Sequence, residues 1–201
     1  MVIDPHTHIV PLGFLEDVRN KAFGDTVTVQ NADGKEWIVT KSNVLGKSRE
    51  LRNILTPMYY EVDLRLEDMK RMGVSRQILS VSPSLTFYSL DKSITHDLAQ
   101  SMNDALIRIS NDNPSNFSCM ATVPLQDPEL AAEELERAIN NGHLGVQIAS
   151  NVAGKNLDDP DLDVFWQKAQ DLGITIFIHP IDTMGAADRL KDFYLRNFIG
   201  N

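Results

Sequence analysis

The sequence predicts an α/β fold whose strands form a parallel sheet. Short apolar runs of about five to seven residues alternate with stretches of about 10 to 18 residues whose apolar positions recur at helical spacing. Strands and helices that alternate in this way are typical of a parallel sheet covered by helices. The length of 201 residues allows one sizeable core, so we expect one domain, with or without a small appendage.

Composition and charge limit the classes of function. The chain has 19 Lys and Arg against 28 Asp and Glu, a net charge of −9, which argues against a nucleic-acid or anionic-membrane surface. The single cysteine, Cys119, excludes an internal disulfide and fits a reducing compartment. The N-terminus reads as a strand rather than a signal peptide, and no apolar run approaches about 18 residues. We therefore expect a cytoplasmic protein without a membrane segment.

The first strand covers residues 2–9, and a different pattern follows it. Residues 26–30 and 36–40 alternate polar and β-branched side chains, and Asp33-Gly34 between them is a strong hairpin turn signal. We therefore predict a small β-hairpin insertion over residues 13–47, placed between the first strand and the first helix.

Predicted helices and strands alternate regularly over the rest of the chain. One helix begins near residue 62 and is closed by Gly73, and another begins at Asp127-Pro128, where Asp is the N-cap and Pro the first helical residue. Three further helices are predicted over 94–111, over 161–172 and from about residue 186. The later strands are predicted over 77–81, 117–123, 145–149 and 174–179.

This pattern alone allows either an open doubly wound sheet or part of a barrel. Five strands are too few to close an eight-stranded (β/α)₈ barrel, which typically takes about 250 residues. A dinucleotide-binding doubly wound sheet would carry G-x-G-x-x-G after its first strand, where this chain has Pro11, Leu12 and Gly13. The sequence therefore disfavours a nucleotide-binding doubly wound fold.

Three histidines indicate a metal site. His6 and His8 are separated by one residue on the first strand, so their side chains share a face about 6.5–7 Å apart. His179 ends a later apolar run and precedes Pro180. Three imidazoles at strand ends supply neutral nitrogen ligands and leave a position open for water. The alternative is that His6 and His8 are ordinary polar residues of a strand, but Asp4 beside them and His179 favour a metal.

Other chemically active residues have plainer interpretations. His143 lies just before a strand and is expected to be structural, and His96 is expected to cap a helix or face solvent. Cys119 is expected to be a buried, inert thiol. Asp182 is expected to be a turn residue, although it follows His179 closely enough to face the site.

The motifs together resemble one enzyme family. Asp-Pro-His-Thr-His-Ile at 4–9 is similar to the first-strand motif of the amidohydrolase superfamily. Gly-Val-Gln-Ile at 145–148 and Ile-Phe-Ile-His-Pro at 176–180 resemble its amidohydrolase-2 branch, that of aminocarboxymuconate-semialdehyde decarboxylase. Ala-Thr-Val-Pro-Leu-Gln-Asp-Pro-Glu-Leu at 121–130 and Phe-Tyr-Leu at 193–195 do so too. The likeness spans nearly the whole chain.

The resemblance implies a fold and a set of site residues. The fold would be a (β/α)₈ TIM-barrel, of the metal-dependent hydrolase type, incomplete in this chain and carrying the insertion at 13–47. His6, His8 and His179 would bind one divalent metal per chain, usually zinc. Binuclear relatives use a carboxylated Lys on the fourth strand, and residues 145–149 contain none. Arg52, with Arg49 as a rival, would bind a substrate carboxylate through its bidentate fork.

The chain also departs from the family pattern. It corresponds to about the first three-fifths of a family member, and the catalytic acid/base His and the Asp metal ligand that follow in relatives have no counterpart up to Asn201. We expect a missing C-terminal part, a second chain that completes the barrel, or a degraded relative. The decarboxylase has Trp after its His-Pro, where this chain has Ile181, which argues against aminocarboxymuconate itself as the substrate.

The resemblance implies a metal-dependent decarboxylase acting on a small carboxylated metabolite, aromatic-derived or enol-type. One alternative is a metal-dependent hydrolase of a lactone, amide or ester. Another is an inactive, truncated barrel fragment that acts as a binding partner. Relatives are often dimers, so the resemblance also implies a homodimer.

Overall fold

The structure is a computed structural model that describes residues 1–44, 47–181, 190, 192, 193 and 195. Asp182 and most of the helix predicted from about residue 186 lie outside these residues. Five parallel strands and one antiparallel three-stranded sheet organise the described part. The parallel strands are β1 (Ile3–Ile9), β5 (Arg76–Val81), β6 (Phe117–Cys119), β7 (Gly145–Ala149) and β8 (Thr175–His179).

The parallel strands lie side by side in the order in which they occur along the chain. β1 pairs with β5, β5 with β6, and β7 with β8. A bridge between Ala121 and Val146 connects the segment after β6 to β7. A doubly wound sheet reverses its strand order at a switch point, whereas an order that follows the chain is that of a (β/α)₈ barrel.

The row of strands is strongly curved. Five strands laid flat would place β1 and β8 about 19 Å apart, given about 4.8 Å between neighbours. Yet Nε2 of His8 on β1 lies only 3.3 Å from Nε2 of His179 on β8. The sheet therefore bends into part of a barrel wall with these imidazoles on its concave side, which confirms the predicted barrel class.

The helices between the parallel strands match the sequence prediction. Asp91 and Asp127 accept hydrogen bonds from the backbone N–H groups of Ser93 and Leu130 at the helix starts. Gly73 and Gly173 adopt the left-handed conformation at the two helix ends where they were expected. These helices are α3 (Val62–Met72), α4 (Lys92–Asp112), α5 (Pro128–Asn140) and α6 (Asp163–Leu172).

The β insertion is larger than the sequence indicated. The predicted hairpin exists as β2 (Val27–Ala32) and β3 (Lys35–Val44), but a third strand, β4 (Lys47–Leu55), pairs antiparallel with β3. The sheet therefore extends beyond the predicted boundary at residue 47. No strand was predicted over these residues, whose charged side chains interrupt the apolar pattern. Two helices were also not predicted, namely α1 (Leu12–Arg19) and α2 (Pro57–Tyr60).

Two clusters of buried apolar residues hold the described part together. In the first, Ile38 and Leu55 of the insertion join Ile9 of β1 and Leu79 of β5, so the insertion packs against the barrel wall. The second surrounds β7, every residue of which is buried. β8 is more open, and Ile178 is 51% exposed. Among the described helices, none combines the length and apolarity needed to cross a membrane.

Candidate metal centre

The structure brings the three predicted histidines together. His6 and His8 lie on β1, and His179 is the last residue of β8. Nε2 of His8 is 3.1 Å from Nε2 of His6 and 3.3 Å from Nε2 of His179. This is a group of side chains that could hold a metal ion, with one ligand atom from each within 4.8 Å of the others. The group lies towards the carboxyl ends of the strands, where barrel enzymes carry their sites.

The nitrogen separations fit a shared metal ion. Ligands at about 2.0–2.1 Å from one zinc ion are about 3.3 Å apart in tetrahedral geometry and about 2.9 Å apart in octahedral geometry. The observed 3.1 and 3.3 Å lie within or at the edge of that interval. Unprotonated imidazole nitrogens that face each other so closely repel unless a cation lies between them.

Burial keeps two of these imidazoles in the form that binds metals. The pKa of His8 is lowered to about 4, chiefly because the ring is buried and secondly because of the charges that His179 and His6 would carry. Burial also lowers the pKa of His179, although a hydrogen bond to the Pro180 carbonyl opposes this. Both rings are therefore neutral at pH 7, and neutral imidazole is the ligating form.

Hydrogen bonds orient the rings. Nδ1 of His179 donates to the carbonyl of Pro180 over 2.7 Å, which leaves Nε2 unprotonated. Nδ1 of His8 lies 3.2 Å from the hydroxyl of Ser80 on β5. The carboxylate of Asp4 accepts a 3.3 Å hydrogen bond from the backbone N–H of His6. Asp4 thus supports the irregular stretch of β1 between Asp4 and Thr7, where the pairing with β5 shifts register.

Arg65 supports the site from the helix side and was missed by the sequence analysis. Its guanidinium donates to the backbone carbonyl of His8 over 2.7 Å and to Oε1 of Gln77 over 3.1 Å. Burial lowers the pKa of Arg65 below its ordinary value, and the negative charges of Asp4 and Asp68 partly oppose this decrease. Its position in α3 carries no motif, so only its hydrogen bond to β1 identifies it.

Arg52 lies apart from the histidines in the described contacts. Asn53 is paired with the core residue Ile38, so Arg52, the preceding residue of β4, lies on the opposite face of the insertion sheet. There its guanidinium carbon is 5.5 Å from the centre of the Trp37 ring and its Nε is 3.6 Å from Glu50. Arg52 as a substrate ligand stays a prediction, and the side chain of Arg49 lies outside the described part.

The remaining candidates are removed from the metal centre. Cys119 is buried, which raises the pKa of its thiol to about 12. His143 is buried, and its Nδ1 lies 3.0 Å from the carbonyl of Ala138. His96 is half-buried beside Gln100, its Nε2 3.0 Å from the amide nitrogen, rather than capping its helix.

A small cavity lies beyond the ends of β1 and β5. Its volume is about 100 Å³, and its wall includes Val10, Ser82, Ser84 and Tyr59 together with β4 residues of the insertion. Val10 and Ser82 follow His8 and its paired residue Ser80 by two positions each. The cavity therefore lies about one strand layer beyond the imidazoles, at the mouth of the barrel wall.

A curved parallel sheet with three converging imidazoles at its carboxyl end defines an α/β barrel with a candidate metal centre. The chain belongs to the amidohydrolase family, whose sequence model matches residues 3–198.

Individual relatives in the family are decarboxylases. The chain is 32% identical over 199 residues to 2-amino-3-carboxymuconate-6-semialdehyde decarboxylase of Dictyostelium discoideum, covering 98% of this chain and 54% of that protein. It is 28% identical, with a TM-score of 0.59, to the crystal structure of 5-carboxyvanillate decarboxylase from Novosphingobium aromaticivorans, which contains manganese and 4-hydroxy-3-methoxy-5-nitrobenzoic acid. That match covers 69% of this chain and 39% of the other.

A third comparison extends the shared fold over nearly the whole chain. The crystal structure of 5-carboxyvanillate decarboxylase from Sphingomonas paucimobilis has a TM-score of 0.70 and 22% identity, covering 96% of this chain and 56% of that one. The chain thus spans about half the length of the proteins it matches.

Proposed function

We propose that this chain carries the metal-binding part of a decarboxylase that removes CO₂ from a small carboxylated aromatic or enol-type compound. The observation that carries the proposal is the convergence of three imidazole Nε2 atoms at the carboxyl end of the barrel strands. The decarboxylase activity of the relatives supports the choice of reaction.

The residues have distinct roles in this proposal. His6, His8 and His179 hold one divalent metal, and the neutral rings of His8 and His179 need to lose no proton to do so. When bound, such a metal polarises a substrate oxygen and stabilises the negative charge left when the carboxylate departs. The insertion and the loop after β5, which line the small cavity, would shield one side of the substrate from water.

We propose zinc as the metal, with one ion per chain. Three imidazole nitrogens favour zinc over manganese in the general order of divalent affinities, although the 5-carboxyvanillate decarboxylase structure contains manganese. Dialysis of the metal-free chain against equal concentrations of both ions, followed by elemental analysis, decides between them. About one zinc per chain is expected, and predominant manganese would overturn the choice of zinc.

Arg52 is proposed to bind the carboxylate that remains on the substrate, because its planar fork matches two carboxylate oxygens. To do so it would have to turn from its own face of the insertion sheet towards the face on which Asn53 lines the cavity. It would also give up its contact with Glu50, an exposed ion pair of small energetic value.

The reaction is tested with the zinc-loaded chain and the substrates of the two relatives, 5-carboxyvanillate and 2-amino-3-carboxymuconate-6-semialdehyde. CO₂ release is expected from the parent and not from a His179→Ala variant. A hydrolysis assay on a lactone runs in parallel, because hydrolysis consumes water and releases no CO₂. Lactone hydrolysis without CO₂ release, or a zinc-loaded, folded chain inactive in both assays, would contradict the proposal.

Two further properties of the chain are proposed on less direct grounds. Homodimer formation follows from the family resemblance and is tested by light scattering of the purified chain. A cytoplasmic location is consistent with one buried thiol and is tested by fractionation of the source cells.

A further inference from the structure

Two buried polar side chains lie behind His8 in the interior of the barrel wall. Ser80 on β5 is 3% exposed and Gln147 on β7 is fully buried. Gln147 Nε2 donates to the carbonyl of Val81 over 2.9 Å, and the hydroxyl of Ser80 lies 2.7 Å from Gln147 Oε1. Nδ1 of His8 lies 3.2 Å from the same hydroxyl. These contacts form a continuous chain, Gln147–Ser80–His8, that joins three strands.

The direction of each hydrogen bond in this chain follows from chemistry. The carbonyl of Val81 can only accept, so the NH₂ group of Gln147 must face it. Oε1 of Gln147 then faces Ser80 and must accept the hydroxyl proton. The other neighbour of the hydroxyl, the carbonyl of Thr7 at 3.2 Å, is also only an acceptor. Ser80 therefore offers a lone pair to Nδ1 of His8, which must carry the proton.

We propose that Gln147 and Ser80 are positioning residues that fix His8 in the tautomer protonated at Nδ1. The unprotonated Nε2 of His8 is thereby directed at the metal, an inference that rests on the metal site of the proposed function. Partners of this kind, which hold the ligand rather than the metal, commonly contribute about 10-fold to 100-fold in metal affinity.

The three histidines differ in how they are held. His179 donates from Nδ1 to the backbone carbonyl of the next residue, Pro180, over 2.7 Å, so its tautomer needs no other side chain. His8, in contrast, depends on a hydroxyl from β5, and that hydroxyl is oriented by an amide from β7. Substitution of Ser80 or Gln147 should therefore change the tautomer of His8 and leave that of His179 unchanged.

The first test observes the tautomers directly. Long-range ¹H–¹⁵N correlation spectra of the zinc-loaded full chain, labelled at histidine, distinguish a ring protonated at Nδ1 from one protonated at Nε2. His8 is expected to be protonated at Nδ1 in the parent and to gain the Nε2-protonated form in Ser80→Ala. A parent chain in which His8 is protonated at Nε2 would overturn the proposal, whether or not any variant folds.

The second test measures zinc affinity by competition with a chromophoric chelator. Ser80→Ala is expected to bind zinc about 10-fold to 100-fold more weakly than the parent. Ser80→Thr, which restores a hydroxyl, should recover most of that loss. Gln147→Leu, which removes the acceptor that orients the hydroxyl, should weaken binding by a smaller factor.

Ser118→Ala is the matched control. Ser118 is a buried strand serine whose hydroxyl accepts from Arg76 rather than facing the histidines, so this variant should bind zinc like the parent. Parent-like affinity in Ser80→Ala, an equal loss in Ser118→Ala, or a parent that binds no zinc would overturn the proposal. Neither test uses a substrate, so failure to release CO₂ would contradict the proposed function and leave this inference standing.

Discussion

At the scale of single residues, His143 gives stability a dependence on pH. The ring is buried, which lowers its pKa below the ordinary 6.5 despite its hydrogen bond to the Ala138 carbonyl. The unfolded chain therefore takes up a proton first as the pH falls, so the stability that neutral His143 provides is full well above pH 6.5 and is lost progressively below it. We expect His143→Gln to lose less stability than the parent over that range.

Urea unfolding of the metal-free proteins from about pH 7.5 down to about pH 5.5 measures this difference, since that interval brackets the ordinary pKa. His8 and His179 also have lowered pKa values. They therefore decrease the stability of both the parent and His143→Gln as the pH falls. The prediction therefore concerns the difference in the free energy of unfolding between variant and parent. If this difference does not change with pH, the prediction is contradicted.

Arg52 provides a second prediction at this scale. If its guanidinium binds the substrate carboxylate, Arg52→Ala should raise KM for the decarboxylated compound by about tenfold or more, corresponding to about 1.4 kcal/mol of binding. Arg52→Lys should restore little, because an ammonium lacks the bidentate fork. Steady-state CO₂ release measures the KM of each variant. Arg19→Ala, which breaks an exposed pair with Glu36 near the same sheet, is the control. Equal KM values in Arg52→Ala and the control would contradict the role.

At the scale of elements, the pairing of β7 with β8 depends on Gly145. A Cβ at this position would lie 2.1 Å from the backbone carbonyl oxygen of Thr175, so Gly145→Ala must displace β8. His179 ends that strand, and its displacement separates its Nε2 from that of His8. We expect a lower melting temperature and weaker zinc binding, measured by calorimetry and chelator competition. In the control, Gly13→Ala, the new methyl group lies 2.9 Å from the flexible end of Arg108 and 3.3 Å from the Cβ of Ala105. It meets no backbone atom there and should be tolerated with small side-chain shifts.

The same scale shows what the sequence could predict. The parallel strands and their helices were identified because apolar spacing, caps and left-handed glycines agreed. β4 was missed because its pairing with β3, rather than its own composition, makes it a strand. The three histidines were predicted because His6 and His8 form a local motif and His179 ends a predicted strand. Ser80 carries no motif, and the motif at 145–148 that contains Gln147 assigned its amide no role. Only the register that places Ser80 opposite His8, and the hydrogen bond from Ser80 to Gln147, reveal the two residues.

At the scale of the whole molecule, a bound metal joins the first and last parallel strands of the described chain. A ligand that binds only the folded state stabilises it, by about 2.7 kcal/mol at a free concentration of 100 times Kd. We expect zinc to raise the melting temperature of the parent and a chelator to reverse the change. His179→Ala should lose the zinc-dependent increase, and an equal increase in that variant would contradict binding at the three histidines.

The closeness of His8 to His179 also bears on the order of folding. Paired residues of neighbouring strands in the described barrel wall are closer along the chain, from 30 residues apart for Gly145 and Thr175 to 73 for Ile3 and Arg76. The contact between these two imidazoles spans 171 residues, and closing so long a loop carries a larger entropic cost. This contact forms only after the intervening strands have assembled with the right curvature. Metal uptake during refolding would therefore follow the collapse of the core. It would occur only in molecules that have reached the native topology.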